Sequence, residues 1–288
     1  MVSPRHPVQG KVVAVTGAGS GIGRALAIEL ARRGAQVSGC DVDAAGLAAT
    51  AAEVPGMHTA RVDMSDRVAV EAYAQEVVAH FGVAHQIYNN AGIAFTATVA
   101  ESTWEDYRRV LAVNLEGVIH GTQAFLPHLL DSGDGHVVNI SSLNGYFAQP
   151  GMSHYVTAKF GVRGFTETLH AEMLLSGSPV RVSVVHPGGV ATSISDNALE
   201  LARAAGKEIT EAALARTRTY REKLLSMDPA QAARIIVGGV ERGRPRIRVG
   251  RDAVAIDLLC RTAPTLATRA AVAFERQLLA GEKRAARR

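Results

Sequence analysis

Valine-rich runs alternate with amphipathic stretches along this chain, and the alternation predicts its elements. Residues 11–16 (KVVAVT) end at a glycine and read as a buried strand. Ile22, Leu26 and Leu30 recur at helical spacing over residues 22–33, and Gly34 stops that helix. A strand over Gln36–Asp41, an alanine-rich helix to about Glu53, a strand over residues 58–62 and a helix over Arg67–Phe81 follow. The fourth strand opens at His85 and runs into Asn89-Asn90-Ala91-Gly92. Ser102-Thr103-Trp104-Glu105 has capping-box spacing ahead of a helix that holds Tyr107, Val110 and Leu111. Asn114 interrupts the helical pattern, which resumes to about Leu130, with Pro127 predicting a kink or an early end. His136–Ile140, residues 180–185 and Arg246–Val249 are strands, and Ser153–Leu175 is a long helix.

Strands that alternate with helices imply right-handed crossovers and a parallel sheet covered on both faces. The expected fold class is therefore α/β, a single doubly wound domain over residues 1–288 with about seven parallel strands. Two parts stand outside that rhythm, an insertion at about 189–227 and an extension at about 251–288. Sheets of this kind bind ligands beyond the carboxyl ends of their strands, so the loops that follow strands carry the chemistry.

Composition narrows the classes. With 47% hydrophobic and 20% charged residues, a packed core is expected rather than disorder. The net charge of +4 is small, and the terminal KRAARR supplies four of its positive charges, so a solvated basic tail is expected there. No basic stripe interleaved with aromatics points to nucleic acid. The two cysteines, Cys40 and Cys260, are far apart and form no ligand cluster, which disfavours a disulfide framework or a zinc site and fits a cytoplasmic protein. No apolar run has the length of a transmembrane segment, and residues 1–10 lack the apolar stretch of a signal peptide.

Thr16-Gly17-Ala18-Gly19-Ser20-Gly21-Ile22-Gly23 joins the first strand to the first helix. Glycines there let the backbone turn tightly and approach a pyrophosphate, while the helix amino end offers free N–H groups to the anion. Asp41 ends the second strand, where a carboxylate can accept hydrogen bonds from the ribose hydroxyls of NAD and repel the 2′-phosphate of NADP. Arg24 and Arg32 are the counterweight, since an arginine nearby can pair with that phosphate.

The glycine spacing, Asn89-Asn90-Ala91-Gly92, Asn114, Ser141-Ser142, Tyr155-x-x-x-Lys159 and Pro187-Gly188 occur in one order over residues 11 to about 250. Jointly they resemble the compact oxidoreductase branch of the short-chain dehydrogenase/reductase family, whose fold is of Rossmann type. The resemblance implies a cofactor held by Gly17, Ser20, Gly21, Ile22, Gly23, Asp41, Asp63, Met64, Asn90, Ala91, Gly92, Tyr155, Lys159, Pro187, Gly188, Val190 and Thr192. Asp63 would face the adenine, although a cap at the next helix is the plainer role for it. Asn90-Ala91-Gly92 would steady the central sheet, and Pro187-Gly188 would pack on the nicotinamide. Thr192 would bond its carboxamide or the phosphate, with Ser193 and Ser195 as close competitors. NAD(H) is the expected cofactor, with NADP(H) as the alternative.

Carbonyl reduction needs a hydride and a proton delivered to one group. Tyrosine, with a reference pKa of about 10, is too weak an acid unless a neighbouring ammonium stabilises its phenolate. Tyr155 and Lys159 are four apart on a predicted helix and share a face. Ser142 follows the preceding strand and is placed to hold the substrate oxygen; alternation points its neighbour Ser141 the other way. Family spacing selects Ser142 and implies that Asn114 holds a water of the proton relay. His154 and His186 border this region as pocket-lining or packing residues.

Expected substrates are alcohols and their ketones or aldehydes. A lipophilic one is favoured by the segment 246–253 and by the apolar residues beyond it: Leu258, Leu259, Leu266, Val272, Phe274, Leu278 and Leu279. These residues cover the pocket, pair subunits or touch a membrane surface. The insertion is a substrate lid or a plain surface helical pair, with helices around Ala198–Ala202 and over residues 212–225. The family resemblance implies a homodimer or homotetramer paired through the two long helices. A non-catalytic NAD(H)-binding regulator is the alternative function, disfavoured by the intact Tyr–Lys pair. An epimerase or dehydratase is disfavoured by the glycine spacing.

Overall fold

The computed structural model describes residues 6–204, 214, 217–219, 221 and 224–285. In chain order its elements are β1 (Val12–Thr16), α1 (Gly21–Arg32), β2 (Gln36–Asp41), α2 (Ala44–Glu53), β3 (His58–Arg61), α3 (Arg67–Phe81) and β4 (Gln86–Asn89). Next come α4 (Trp104–Leu111), a π-helical turn (Ala112–Glu116), α5 (Gly117–Asp131), β5 (His136–Ile140), a 3₁₀ turn (Leu143–Gly145), α6 (Ser153–Leu175) and β6 (Arg181–Pro187). The chain ends with α7 (Ile194–Ala204), α8 (Pro229–Glu241), β7 (Arg246–Val249), α9 (Arg251–Thr262) and α10 (Pro264–Ala285).

Seven strands form one sheet in the order β3-β2-β1-β4-β5-β6-β7, parallel at every pairing. The order reverses between β1 and β4, which opens the crevice where such sheets bind ligands. Side chains of a strand alternate between faces, so β1 feeds two cores. Val13 and Val15 pack with Leu26 and Leu30 of α1 and Ile236 and Val240 of α8. Val12 and Ala14 pack with Tyr73 of α3, Phe125 and Leu129 of α5 and Leu169 of α6. Each fully buried Leu or Phe of this kind contributes about 1.5–3 kcal/mol. The sheet is thus doubly wound, as its sequence pattern predicts.

A polar ladder crosses the second core. Asn89 Nδ2 donates to Asn139 Oδ1 (2.8 Å) and Thr122 Oγ1 (3.1 Å), and Asn139 Nδ2 donates to Thr166 Oγ1 (3.0 Å). All four residues are buried, so the ladder fixes α5 and α6 in register against β4 and β5.

Three local expectations change. The capping box starts one residue late: Thr103 Oγ1 accepts the Asp106 N–H and Asp106 Oδ2 accepts the Thr103 N–H. Ser102 is engaged elsewhere, donating to the Thr98 carbonyl at 2.7 Å and lying 3.1 Å from His154 Nε2. Asn114 does not break the helix. It sits in the π-helical turn, where α4 passes into α5 without a gap. Nor does Pro127 end α5, which continues to Asp131; proline removes a single helical N–H, and the next turn re-forms with Ser132 N–H on the His128 carbonyl. The helix predicted over residues 212–225 lies largely outside the described residues, as do the side chains of Ser195, Leu278 and Leu279. Among the described residues no helix is long and apolar enough to cross a membrane.

Candidate active site

The glycine loop is built for close backbone contact. Gly17 adopts φ +67°, and a Cβ on it would lie 2.8 Å from Ala91 Cα. At Gly23 a Cβ would lie 1.9 Å from the Gly17 carbonyl oxygen, so α1 packs against the loop only with glycine there. Thr16 Oγ1 accepts the N–H groups of Asn90 (2.9 Å) and Ala91 (3.0 Å), while Asn90 Nδ2 donates to the carbonyls of Thr16 (3.0 Å) and Gly17 (3.4 Å). The Asn90 amide therefore locks two strand-end loops together.

Helices α2, α3, α4 and α8 each begin with a side chain that caps their first N–H groups. Helix α1 does not: Ser20 makes no cap bond and its first turn holds no acidic residue. Its free N–H groups and positive dipole end fit an anionic diphosphate. Thr192 lies over this turn, its methyl 3.1 Å from where a Cβ on Gly21 would stand, and Ile22 is half-buried behind it. Ser193 starts α7 instead, its carbonyl accepting the Asn197 N–H.

At the end of β2, Asp41 accepts from Gly19 N–H (Oδ2, 2.8 Å) and Asp43 N–H (Oδ1, 3.0 Å), which ties it to the glycine loop. Arg24 pairs with Glu53, and Arg32 with Glu29 at 2.8 Å. Asp63 accepts from the Ser65 N–H and hydroxyl, leaving the cap of α3 to Asp66. Met64 is buried beside Gly117 of α5.

Two serines at the end of β5 point apart. Ser141 Oγ donates to the Lys159 carbonyl (2.8 Å) inside the core, whereas Ser142 Oγ accepts the Asn144 N–H (3.1 Å) and stands near enough to Tyr155 to favour its phenolate. Lys159 is buried one turn further along α6; its Nζ donates to the Ile140 carbonyl (2.9 Å) and lies 5.6 Å from the Tyr155 ring centroid. Burial lowers its pKa to about 8. At Tyr155 burial works against the acidification expected from this ammonium. Burial pushes the phenol above its ordinary value, and the Ser142 hydrogen bond only partly opposes the rise.

Asn114 is fully buried and clamps one residue of the loop after β4. Its Oδ1 accepts the Ile93 N–H and its Nδ2 donates to the Ile93 carbonyl, both at 2.8 Å. Gly92 lies between Asn114 and Lys159, with a Cβ position 3.3 Å from Asn114 Oδ1 and 3.7 Å from Lys159 Nζ.

After β6, Pro187 closes the strand, and Gly188 N–H donates to the Val249 carbonyl. Val190 is buried and bridges to Met227. The bracing roles of three residues here escaped sequence reasoning. Thr16 supports the loop after β4, and its one signal was a hydroxyl next to Gly17. Asp252 Oδ2 accepts the Gly189 N–H at 2.8 Å. His186 is fully buried, with Nδ1 2.8 Å from the Ser142 carbonyl. A carbonyl only accepts, so Nδ1 carries the proton, and burial lowers this pKa to about 4. The neutral ring therefore steadies the serine backbone. His154 packs between Phe95 and Tyr107.

Residues 11–201 match the family model for short chain dehydrogenases. The chain is 48% identical over 257 residues to SadH of Mycobacterium tuberculosis, named as an oxidoreductase, covering 88% of this chain and 91% of that one. It is 35% identical over 201 residues to the 3-oxoacyl-(acyl-carrier-protein) reductase of Thermotoga maritima, covering 68% of this chain and 80% of that one. Among solved structures it is similar to a short chain dehydrogenase/reductase from Burkholderia phymatum in complex with NAD. That similarity has a TM-score of 0.83 at 30% identity and covers 91% of this chain and 96% of the other.

Proposed function

This chain belongs to the short-chain dehydrogenase/reductase family of oxidoreductases, and from that premise we propose that it is a cytoplasmic, NAD(H)-dependent enzyme interconverting lipophilic alcohols with their ketones or aldehydes. One observation carries the reading: Ser142 and Lys159 stand by the Tyr155 phenol, Lys159 Nζ 5.6 Å from its ring, at the strand ends that adjoin the uncapped start of α1.

Bound NAD(H) would supply or take the hydride, held by its diphosphate at Gly17, Ser20, Gly21, Ile22 and Gly23 with Thr192 across from them. Asp41, Asp63 and Met64 line its adenosine side; Asn90, Ala91, Gly92, Pro187, Gly188 and Val190 shape the walls toward the reacting end. Tyr155 is the general acid in reduction. Burial keeps this phenol protonated, and the Lys159 ammonium together with the positive nicotinamide of bound NAD⁺ would bring its acidity toward what a donor needs. Ser142 holds the carbonyl oxygen beside the Tyr155 hydroxyl. As the proton leaves, the Lys159 ammonium stabilises the phenolate. Asn114 keeps the chain at Ile93 and Gly92 in place over Lys159 and, as the family resemblance implies, would hold the water that links Lys159 to solvent.

NAD(H) is favoured over NADP(H) because Asp41 faces the loop at the end of β2, while Arg24 and Arg32 are already paired with Glu53 and Glu29. Matched fluorescence titrations test this; NADPH binding as tight as NADH would overturn it. Apolar residues in the loops flanking the site, namely Ile93, Phe95, Leu143, Phe147 and Met152, favour a lipophilic substrate. A panel of alcohols and carbonyls with NAD⁺ or NADH is the test, and turnover of small polar compounds alone would overturn it. Helices α5 and α6, with Phe160 exposed, are the surface for a homodimer or homotetramer, measurable by light scattering.

A further inference from the structure

Segment 246–253 bears on substrate type in the sequence, and its place in the fold gives it a mechanical role as well. Strand β7 ends at Val249, the chain turns at Gly250, and α9 begins at Arg251. The first turn of α9 meets both loops that shape the site. Asp252 Oδ2 accepts the Gly189 N–H (2.8 Å), and its carboxylate lies flat on Gly188: a Cβ there would be 2.1 Å from Oδ2 and 2.3 Å from Oδ1. On the other side, Tyr146 Oη donates to the Ala253 carbonyl at 3.3 Å. The Tyr146 ring lies 4.5 Å from that of His186, whose Nδ1–H holds the Ser142 carbonyl.

We propose that Asp252 is a positioning residue: it fixes the Gly188-Gly189 turn in the shape that the nicotinamide half of the cofactor requires. Through Ala253, the same helical turn keeps this loop in step with the serine loop after β5. Helix α9 is thus part of the working site rather than an appendage to the fold. The inference rests on the proposed function, because it takes the loop after β6 to be the nicotinamide wall. A carboxylate in the first turn of α9 also favours the helix dipole, which is the merely structural role the test must separate.

NADH spans both halves of the dinucleotide site, whereas ADP-ribose lacks the nicotinamide. Affinities for both are measured by fluorescence and calorimetric titration of the wild-type protein, Asp252→Ala and Asp252→Asn. Losing a charge-assisted hydrogen bond predicts about tenfold weaker NADH binding by Asp252→Ala, with ADP-ribose affinity within about twofold of wild type. Asp252→Asn, whose amide oxygen still accepts from Gly189, recovers most of the loss. In a double-mutant cycle, Gly188→Ala weakens NADH binding when Asp252 is present and less when Asp252 is alanine. Unchanged NADH affinity in Asp252→Ala, or equal losses for NADH and ADP-ribose, overturns the assignment. Failure of the wild-type protein to bind NADH would overturn the proposed function as well, so the two failures are distinct.

Discussion

Replacing Asn114 with alanine tests how the site is held together. The side chain makes two hydrogen bonds at 2.8 Å to the main chain of Ile93 from a fully buried position. Truncation removes both partners and leaves one N–H and one C=O without them. An unsatisfied buried group costs about 1–3 kcal/mol, and because Ile93 is only half-buried each of the two groups counts for about 1–2, so the pair predicts a loss of about 2–4 kcal/mol. For a chain of this size, that lowers the melting temperature by about 5–10 °C. Freed from its clamp, the segment at Gly92 and Ile93 also loosens above Lys159, so kcat/KM falls by about tenfold or more, as small misplacements in catalytic sites do. Asn114→Asp keeps the acceptor for Ile93 N–H but turns a carboxyl oxygen to the Ile93 carbonyl, so it recovers stability only as the pH falls and that buried carboxyl holds its proton. Urea unfolding, melting curves and steady-state kinetics on the three proteins measure this. A loss below about 0.5 kcal/mol, the range of an indifferent surface substitution, would refute the reasoning.

Other outcomes follow from the same structure. Gly23→Ala places a methyl 1.9 Å from the Gly17 carbonyl, so the loop must shift and NADH affinity falls by about tenfold or more in titration. Thr103→Ala removes the cap of α4 and lowers the unfolding free energy by about 1 kcal/mol, read from the urea midpoint. Burial lowers the pKa of His136 to about 3 and of His186 to about 4, against an ordinary value of 6.5. The unfolded chain binds those protons first, so their stabilisation is complete above pH 6.5 and declines as the pH falls toward 4. Each histidine contributes a slope of up to about 1.4 kcal/mol per pH unit. Urea midpoints should drop between about pH 7 and pH 5, and His136→Asn should flatten the curve; a constant midpoint would contradict the assignment.

Much of the architecture was legible because valine runs and helical periodicity report burial directly. Gln36–Asp41, Arg67–Phe81, Ser153–Leu175 and Arg246–Val249 occur as their patterns predict. The misreadings arose where neighbouring residues offered equal local chemistry. Ser102 and Thr103 both suit a cap, and the contact with His154, distant in sequence, decides between them. Asn114 looked like an interruption because poor helix formers usually are; a π-helical turn absorbs it so that its amide can reach Ile93. Residues that act by bracing a backbone leave no motif. His186 on the Ser142 carbonyl and Asp252 on Gly189 are joined only by tertiary contacts, across 44 and 63 positions of the chain.

The most direct test of the account is carbonyl reduction by Tyr155→Phe, which keeps the ring beside Lys159 and removes only the hydroxyl. If that oxygen delivers the proton, turnover with NADH falls by about 10²–10⁴ while the NADH dissociation constant changes little. Turnover within about threefold of wild type would mean that the proton comes from another group, and the mechanism built on Tyr155 would be wrong.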